Sequence, residues 1–134
     1  MWSLVVAAIL AVISASDADV PDAFRDRTPL PSCGAVLQEL KGTGWDPTAN
    51  SRPEIGCLAG AVRNGASAEL AVVYTTFEGD KVVYWYRSEP GRPGLELFVD
   101  ASGDAFAGPP WEHARCAHAV PESLLANLGG CAWD

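Results

Sequence analysis

The chain has 134 residues, 49% apolar and 19% charged, with nine basic side chains against seventeen acidic ones and a formal net charge of −8. That length is one domain rather than two, and five Trp, three Tyr and four Phe supply the apolar area of a packed core, which argues against wholesale disorder. The acidic balance opposes binding to a phosphate backbone or an anionic bilayer, so nucleic acid is not expected as a partner.

In chain order, Trp2 to Ala15 is an uncharged, largely apolar run. It has the length of a signal-peptide core and falls short of the roughly 18 to 20 residues that a spanning helix needs. Small residues at Ser14, Ala15, Ser16 and Ala18 allow cleavage after Ala15, Ser16 or Ala18. Residues 1–16 are therefore read as a signal peptide, 17–32, rich in Asp and Pro with no apolar period, as a disordered linker, and 33–134 as one small domain. All four cysteines, Cys33, Cys57, Cys116 and Cys131, follow the cleavage region. An even number in a small exported domain implies two disulfides; of the three connectivities, Cys33–Cys57 with Cys116–Cys131 is favoured because each pair is close in sequence.

Cys33 to Leu40 fits either a short strand or a helical turn. Ser51-Arg52-Pro53-Glu54 reads as a capping box with Ser51 at the N-cap. The helix it opens carries an apolar stripe of Ile55, Leu58, Ala59 and Val62, faces Cys57 away from it, and stops at Asn64-Gly65. Ala68 to Phe77 and Lys81 to Arg87 read as a hairpin with Gly79-Asp80 at its tip. That register puts Lys81 opposite Glu78, Trp85 opposite Tyr74 and Arg87 opposite Val72. Leu95 to Asp100 is a third strand after a proline- and glycine-rich loop, Ser102 to Pro110 is loop, and Pro121 to Leu128 is a short helix ended by Gly129-Gly130. Trp45, Trp111 and Trp133 are read as loop anchors. The expected fold is α+β: one capped helix on a three-stranded antiparallel meander, a short C-terminal helix and two disulfides.

Thr76-Phe77-Glu78-Gly79-Asp80-Lys81-Val82 resembles the T-x-E-G-D-P-[I/V] hairpin of a family of small exported bacterial domains of unknown function, with Lys81 standing where that family has Pro. The flanking Ala68 to Val73, Tyr86-Arg87, Gly94 to Phe98 and Trp111 to Cys116 are similar to its actinobacterial branch, over roughly residues 33 to 131. The resemblance implies export and a fold, and carries no reaction, ligand or site residue.

Three groups of residues are candidates for chemistry. Glu78 and Asp80 place two carboxylates on one turn, suited to acid/base work or a hard cation, although Asp after Gly is ordinary turn composition. Glu112, His113 and His118 beside Cys116, with Cys131 as a fourth ligand, have metal-ligand types, but bridged cysteines would not coordinate. Tyr74, Trp85 and Arg87 share one face in the expected register and have the composition of a binding hot spot, or of a core. The reading is a secreted or cell-envelope, non-catalytic, monomeric binding domain with no cofactor and no metal, recognising an extracellular protein or small ligand. Once its signal is removed it would not associate with a membrane. The alternatives are a protease inhibitor presenting Ser88 to Gly94, and a small hydrolase using Glu78/Asp80 or His113/His118.

Overall fold

A computed structural model describes residues 20–38, 40–41, 44–45, 51–119 and 128–134. A short helix, α1 (Asp22–Arg25), precedes strand β1 (Ser32–Gln38) and the two-residue strands β2 (Leu40–Lys41) and β3 (Gly44–Trp45); helix α2 (Pro53–Asn64) follows. Strands β4 (Ala68–Thr75), β5 (Lys81–Glu89), β6 (Arg92–Asp100), β7 (Trp111–Ala119) and β8 (Leu128–Trp133) complete the chain. They form one six-stranded sheet in the order β1-β4-β5-β6-β7-β8, while β2 and β3 pair with each other. Strands β4 to β8 run antiparallel and β1 lies parallel to β4.

The expected three-stranded meander is thus half of a larger mixed sheet. Cys33 to Leu40, undecided between helix and strand, supplies β1, and a parallel neighbour for β4 requires a crossover, which α2 provides. The segment after Pro110 supplies β7, with Trp111 at its start, and Gly129-Gly130, expected to end a helix, lie within β8, which finishes at Trp133. The expected helix over Pro121 to Leu128 falls outside the described residues up to position 127, and Leu128 opens a strand. The expected signal peptide and the side chain of Trp45 also lie outside them.

Helix α2 keeps its apolar stripe but not its cap. Pro53 occupies the first turn, the N-cap is Arg52 with no side-chain cap bond, and Ser51 stands one residue before it. Ile55, Leu58 and Ala59 are buried against the sheet, and Gly65 ends the helix in the left-handed conformation (φ +63°) that glycine adopts without strain. They pack with Val36, Leu70, Val72, Tyr86, Leu95, Leu97, Val99, Ala114 and Cys116 into the core. Cys33 bridges Cys57, tying β1 to α2, and Cys116 bridges its cross-strand neighbour Cys131, tying β7 to β8. Both pairings are the favoured ones. At Gly94 (φ +80°) any Cβ would lie 1.9 Å from the Cys116 carbonyl oxygen, so only glycine lets β6 approach β7 this closely.

The hairpin register differs from the expected one. Lys81 pairs with Thr75 rather than Glu78, a slip of three residues (78 − 75), because the loop is Thr76 to Asp80 rather than two residues. Thr76 N–H donates to the Asp80 carbonyl (2.9 Å), Gly79 N–H to the Thr76 carbonyl (3.0 Å) and Asp80 N–H to Thr76 Oγ1 (3.1 Å), closing the turn around Gly79. An odd slip exchanges the faces of one strand relative to its partner. Tyr74 therefore lies opposite Val82 on the helix-covered face, whereas Trp85, opposite Ala71, lies on the other.

Candidate functional site

The second sheet face is built around charge. Register aligns Glu69, Arg87 and Glu96 in one cross-strand row over β4, β5 and β6, with Arg115 next on β7. The Arg87 side chain is 1% exposed. Its Nη1 donates to Glu69 Oε2, its Nε to Glu96 Oε1 (3.0 Å) and its Nη2 to the Thr28 carbonyl (2.6 Å). Such a cation persists in the interior because two carboxylates and a carbonyl take its donors. Glu69 also accepts from Arg27 Nε (3.0 Å) and Nη2 (3.3 Å). Burial raises the Glu69 carboxyl, but the hydrogen bonds and charges of Arg27 and Arg87 outweigh it, and its pKa lies below the ordinary value of 4.5. Beyond Glu96 the chain continues through His113, whose Nε2 lies 3.0 Å from Glu96 Oε2 and whose Nδ1 pairs with Asp134.

Over this row lie residues 20–31 of the segment expected to be a disordered linker. Glu69 N–H donates to the Pro31 carbonyl (2.9 Å), Arg87 holds the Thr28 carbonyl, and α1 sets Phe24 onto the sheet. The Phe24 ring stands 5.3 Å from Trp85, 5.3 Å from Phe98 and 4.8 Å from Trp111, and the Arg27 guanidinium lies over it, 3.8 Å from its centroid. Aromatic burial and a cation–π contact, rather than backbone pairing alone, keep residues 20–31 on the sheet.

At the edge of this cluster is a cleft of about 370 Å³ lined by Val20, Phe24, Arg25, Arg27, Trp85, Asp100, Ser102 and Trp111. Its volume is at the low end of the ~300–1,000 Å³ of small-ligand clefts. The Trp85 Nε1–H is buried with no acceptor among the described residues. Asp100 Oδ1 accepts from Ser102 N–H (3.0 Å) and Ser102 Oγ (2.5 Å), leaving Oδ2 without a donor among the described residues.

The residues expected to act together are redistributed. Trp85 and Arg87 share the second face, but Tyr74 is on the first, where its hydroxyl lies 3.0 Å from that of Tyr86 and its ring 4.7 Å from Tyr84. Burial pushes the Tyr74 phenol up to about 12, the Tyr86 hydrogen bond working against this and Tyr84 with it; burial likewise raises Tyr84 and, further, Tyr86. Glu78 is exposed at the hairpin tip, while Asp80 Oδ2 accepts from Ala105 N–H (3.1 Å) and so ties two loops together. His113 faces the charged row and pairs across strands with Phe98, whereas His118, five positions on along β7, faces the opposite side with Cys116. No group of three metal-ligand side chains assembles among the described residues. Ser88 to Gly94 is not a projecting loop: Ser88 is 2% exposed and donates to the Ala66 carbonyl (2.8 Å), and only Pro90-Gly91 turns between β5 and β6.

Phe24, Arg27, Phe98, Asp100 and Trp111 were not foreseen in this role. A signal was present, since Phe24 and Arg27 stand out in 17–32, and Arg87 and Glu96 are charged residues beside apolar or aromatic ones within strands, Tyr86 before Arg87 and Leu95 and Leu97 around Glu96. No family model, no curated protein and no solved structure matches the chain.

Proposed function

We propose that the chain is a secreted or cell-envelope, non-catalytic binding domain that takes a small ligand in the Phe24–Trp85–Trp111 cleft. The observation that carries this reading is the cleft itself: an aromatic wall, a charged rim of both signs, and a buried indole N–H without an acceptor among the described residues, the combination of apolar surface and few polar groups that small-ligand sites use. The apolar Trp2 to Ala15 run and the two disulfides support export, and the Thr76 to Val82 hairpin supports kinship with the exported T-x-E-G-D-P-[I/V] domains. Chemistry at His113 is disfavoured because both its ring nitrogens face carboxylates, and His118 lies on the opposite face, away from the cleft.

The test is a thermal-shift screen of the disulfide-intact protein against a chemically varied set of small ligands. The expected result is a stabilising ligand whose effect is lost in Trp111→Ala and kept in Phe106→Ala, an exposed residue outside the cleft. A turnover activity abolished by substituting Asp100 or His113 would overturn the non-catalytic reading.

A further inference from the structure

Resting on that reading of the cleft, we infer that its ligand is a neutral pyranose sugar, seated with one ring face against the Trp111 side and with adjacent hydroxyls on Asp100, Ser102 and Arg25.

The rim decides the class of ligand. Asp100 offers a carboxylate oxygen without a donor among the described residues, Ser102 a hydroxyl whose proton is already committed to Asp100 and which is therefore left as an acceptor, and Arg25, half-exposed, a guanidinium that also donates to the Val20 carbonyl (3.3 Å) and lies 3.6 Å from Asp22. An organic anion would meet the Asp100 charge within a chain of net charge −8, and a cation would meet two guanidinium groups, Arg25 and Arg27. A purely apolar ligand would bury the Asp100 oxygen without a donor, which costs far more than its own burial returns. A sugar ring has none of these conflicts. It carries no charge, each hydroxyl both donates and accepts, and its axial C–H face is apolar enough to lie on an aromatic ring. One hydroxyl can donate to Asp100 Oδ2 while its neighbour accepts from Arg25, a mixed pattern that two carboxylates or two guanidinium groups could not serve.

Trp85 adds an independent indication. Its Nε1–H is a donor buried within a residue of the cleft lining, with nothing among the described residues to accept it. Buried donors are nearly always satisfied, and this one, closed off from solvent, gains a hydroxyl or water acceptor when ligand entry opens a path to it. The indole nitrogen donates its proton and has no lone pair to accept with, so it selects acceptors only, and a hydroxyl qualifies.

The experiment is an NMR titration of the uniformly ¹⁵N-labelled, disulfide-intact protein with cellotriose, chitotriose and xylotriose. The anion 1-anilinonaphthalene-8-sulfonate is titrated in parallel, and the Trp85 indole resonance is identified by its loss in Trp85→Phe. The expected result is a saturable shift of the Trp85 indole N–H with at least one trisaccharide, weakened about tenfold or more in Trp111→Ala and in the isosteric Asp100→Asn. Asp100→Asn keeps an oxygen for Ser102 and so tests the charge without emptying the site. Native-like amide spectra of both variants are the control for folding. Binding of the sulfonate in a Trp111-dependent manner, with no response to any sugar, overturns the sugar assignment and leaves the cleft as a ligand site. No Trp111-dependent response to any of the four probes overturns both readings.

Discussion

Replacing Arg87 with Met tests whether the second face is held by its charge row. The side chain is 1% exposed, so Met fills most of its volume and the change reports on charge and hydrogen bonding. Three acceptors lose their donor: Glu69 Oε2, Glu96 Oε1 and the Thr28 carbonyl. Glu69 keeps Arg27 and Glu96 keeps His113, so neither carboxylate is abandoned completely, and the expected loss is about 3 kcal/mol, the lower end of the ~3–5 kcal/mol for breaking a buried pair. That is a large part of the ~5–15 kcal/mol that domains of this size possess. Arg87→Lys keeps the charge but not the fork and should lose about half as much. The assay is equilibrium urea unfolding at pH 7 with both disulfides intact, followed by the same measurement across the acid range. Glu69 has a folded-state pKa below 4.5, so its contribution is fully present above 4.5 and is lost as pH falls through the lower folded value. The Arg87→Met penalty should therefore shrink on acidification. A penalty below about 0.5 kcal/mol, or one that does not change between pH 7 and pH 3, would refute the argument that this row holds the face together.

The chain's three tyrosines, Tyr74, Tyr84 and Tyr86, all have raised pKa values, Tyr74 to about 12, so native protein should show less phenolate absorbance at pH 10 than the unfolded chain does. A folded value above the ordinary 10 means stability present below pH 10 and lost as pH rises toward 12, so phenolate should appear together with the loss of tertiary circular dichroism, and a reversible rise centred on pH 10 would contradict the buried cluster. Phe24→Ala removes three ring contacts and the seat of the Arg27 guanidinium, and should cost about 2 kcal/mol of local docking with the remaining core intact. Trypsin should then cleave at Arg25 and Arg27 roughly ten to thirty times faster at nearly unchanged unfolding midpoint; equal cleavage rates would mean that Phe24 does not anchor the segment.

The sequence reading and the structure part company at particular residues. A five-residue loop and a two-residue loop are both compatible with Phe77-Glu78-Gly79-Asp80, and the choice is made by contacts that the hairpin does not contain, above all the Asp80 carboxylate taking Ala105 N–H from the β6–β7 loop. With the longer loop, Glu69 comes opposite Arg87 and the charged row follows; with the shorter one Arg87 would have stood opposite Val72. Residues 17–32 look unstructured because they have no period of their own. Phe24 and Arg27 need the finished sheet, with Trp85, Trp111 and Glu69 in place, before they have anything to bind. Trp111 to Ala119 is obscured as a strand because Glu112, His113 and Arg115 interrupt its apolar alternation; His113 and Arg115 become intelligible only as the side facing the charged row, while Glu112, opposite Val99, lies on the other face.

By itself the sequence determined what local physics encodes: the apolar stripe of Pro53 to Asn64 and its glycine stop, the period-two segments around β4, β5 and β6, and the pairing of cysteines close along the chain. Only the tertiary structure decided the register of β4 on β5, the parallel placement of β1, the addition of β7 and β8, and the seating of residues 20–31 that closes the cleft. The physical reason is that alternation specifies which side chains share a face of a strand, while the neighbour and the offset are set by loop closure and by which charges can be paired once both faces are covered.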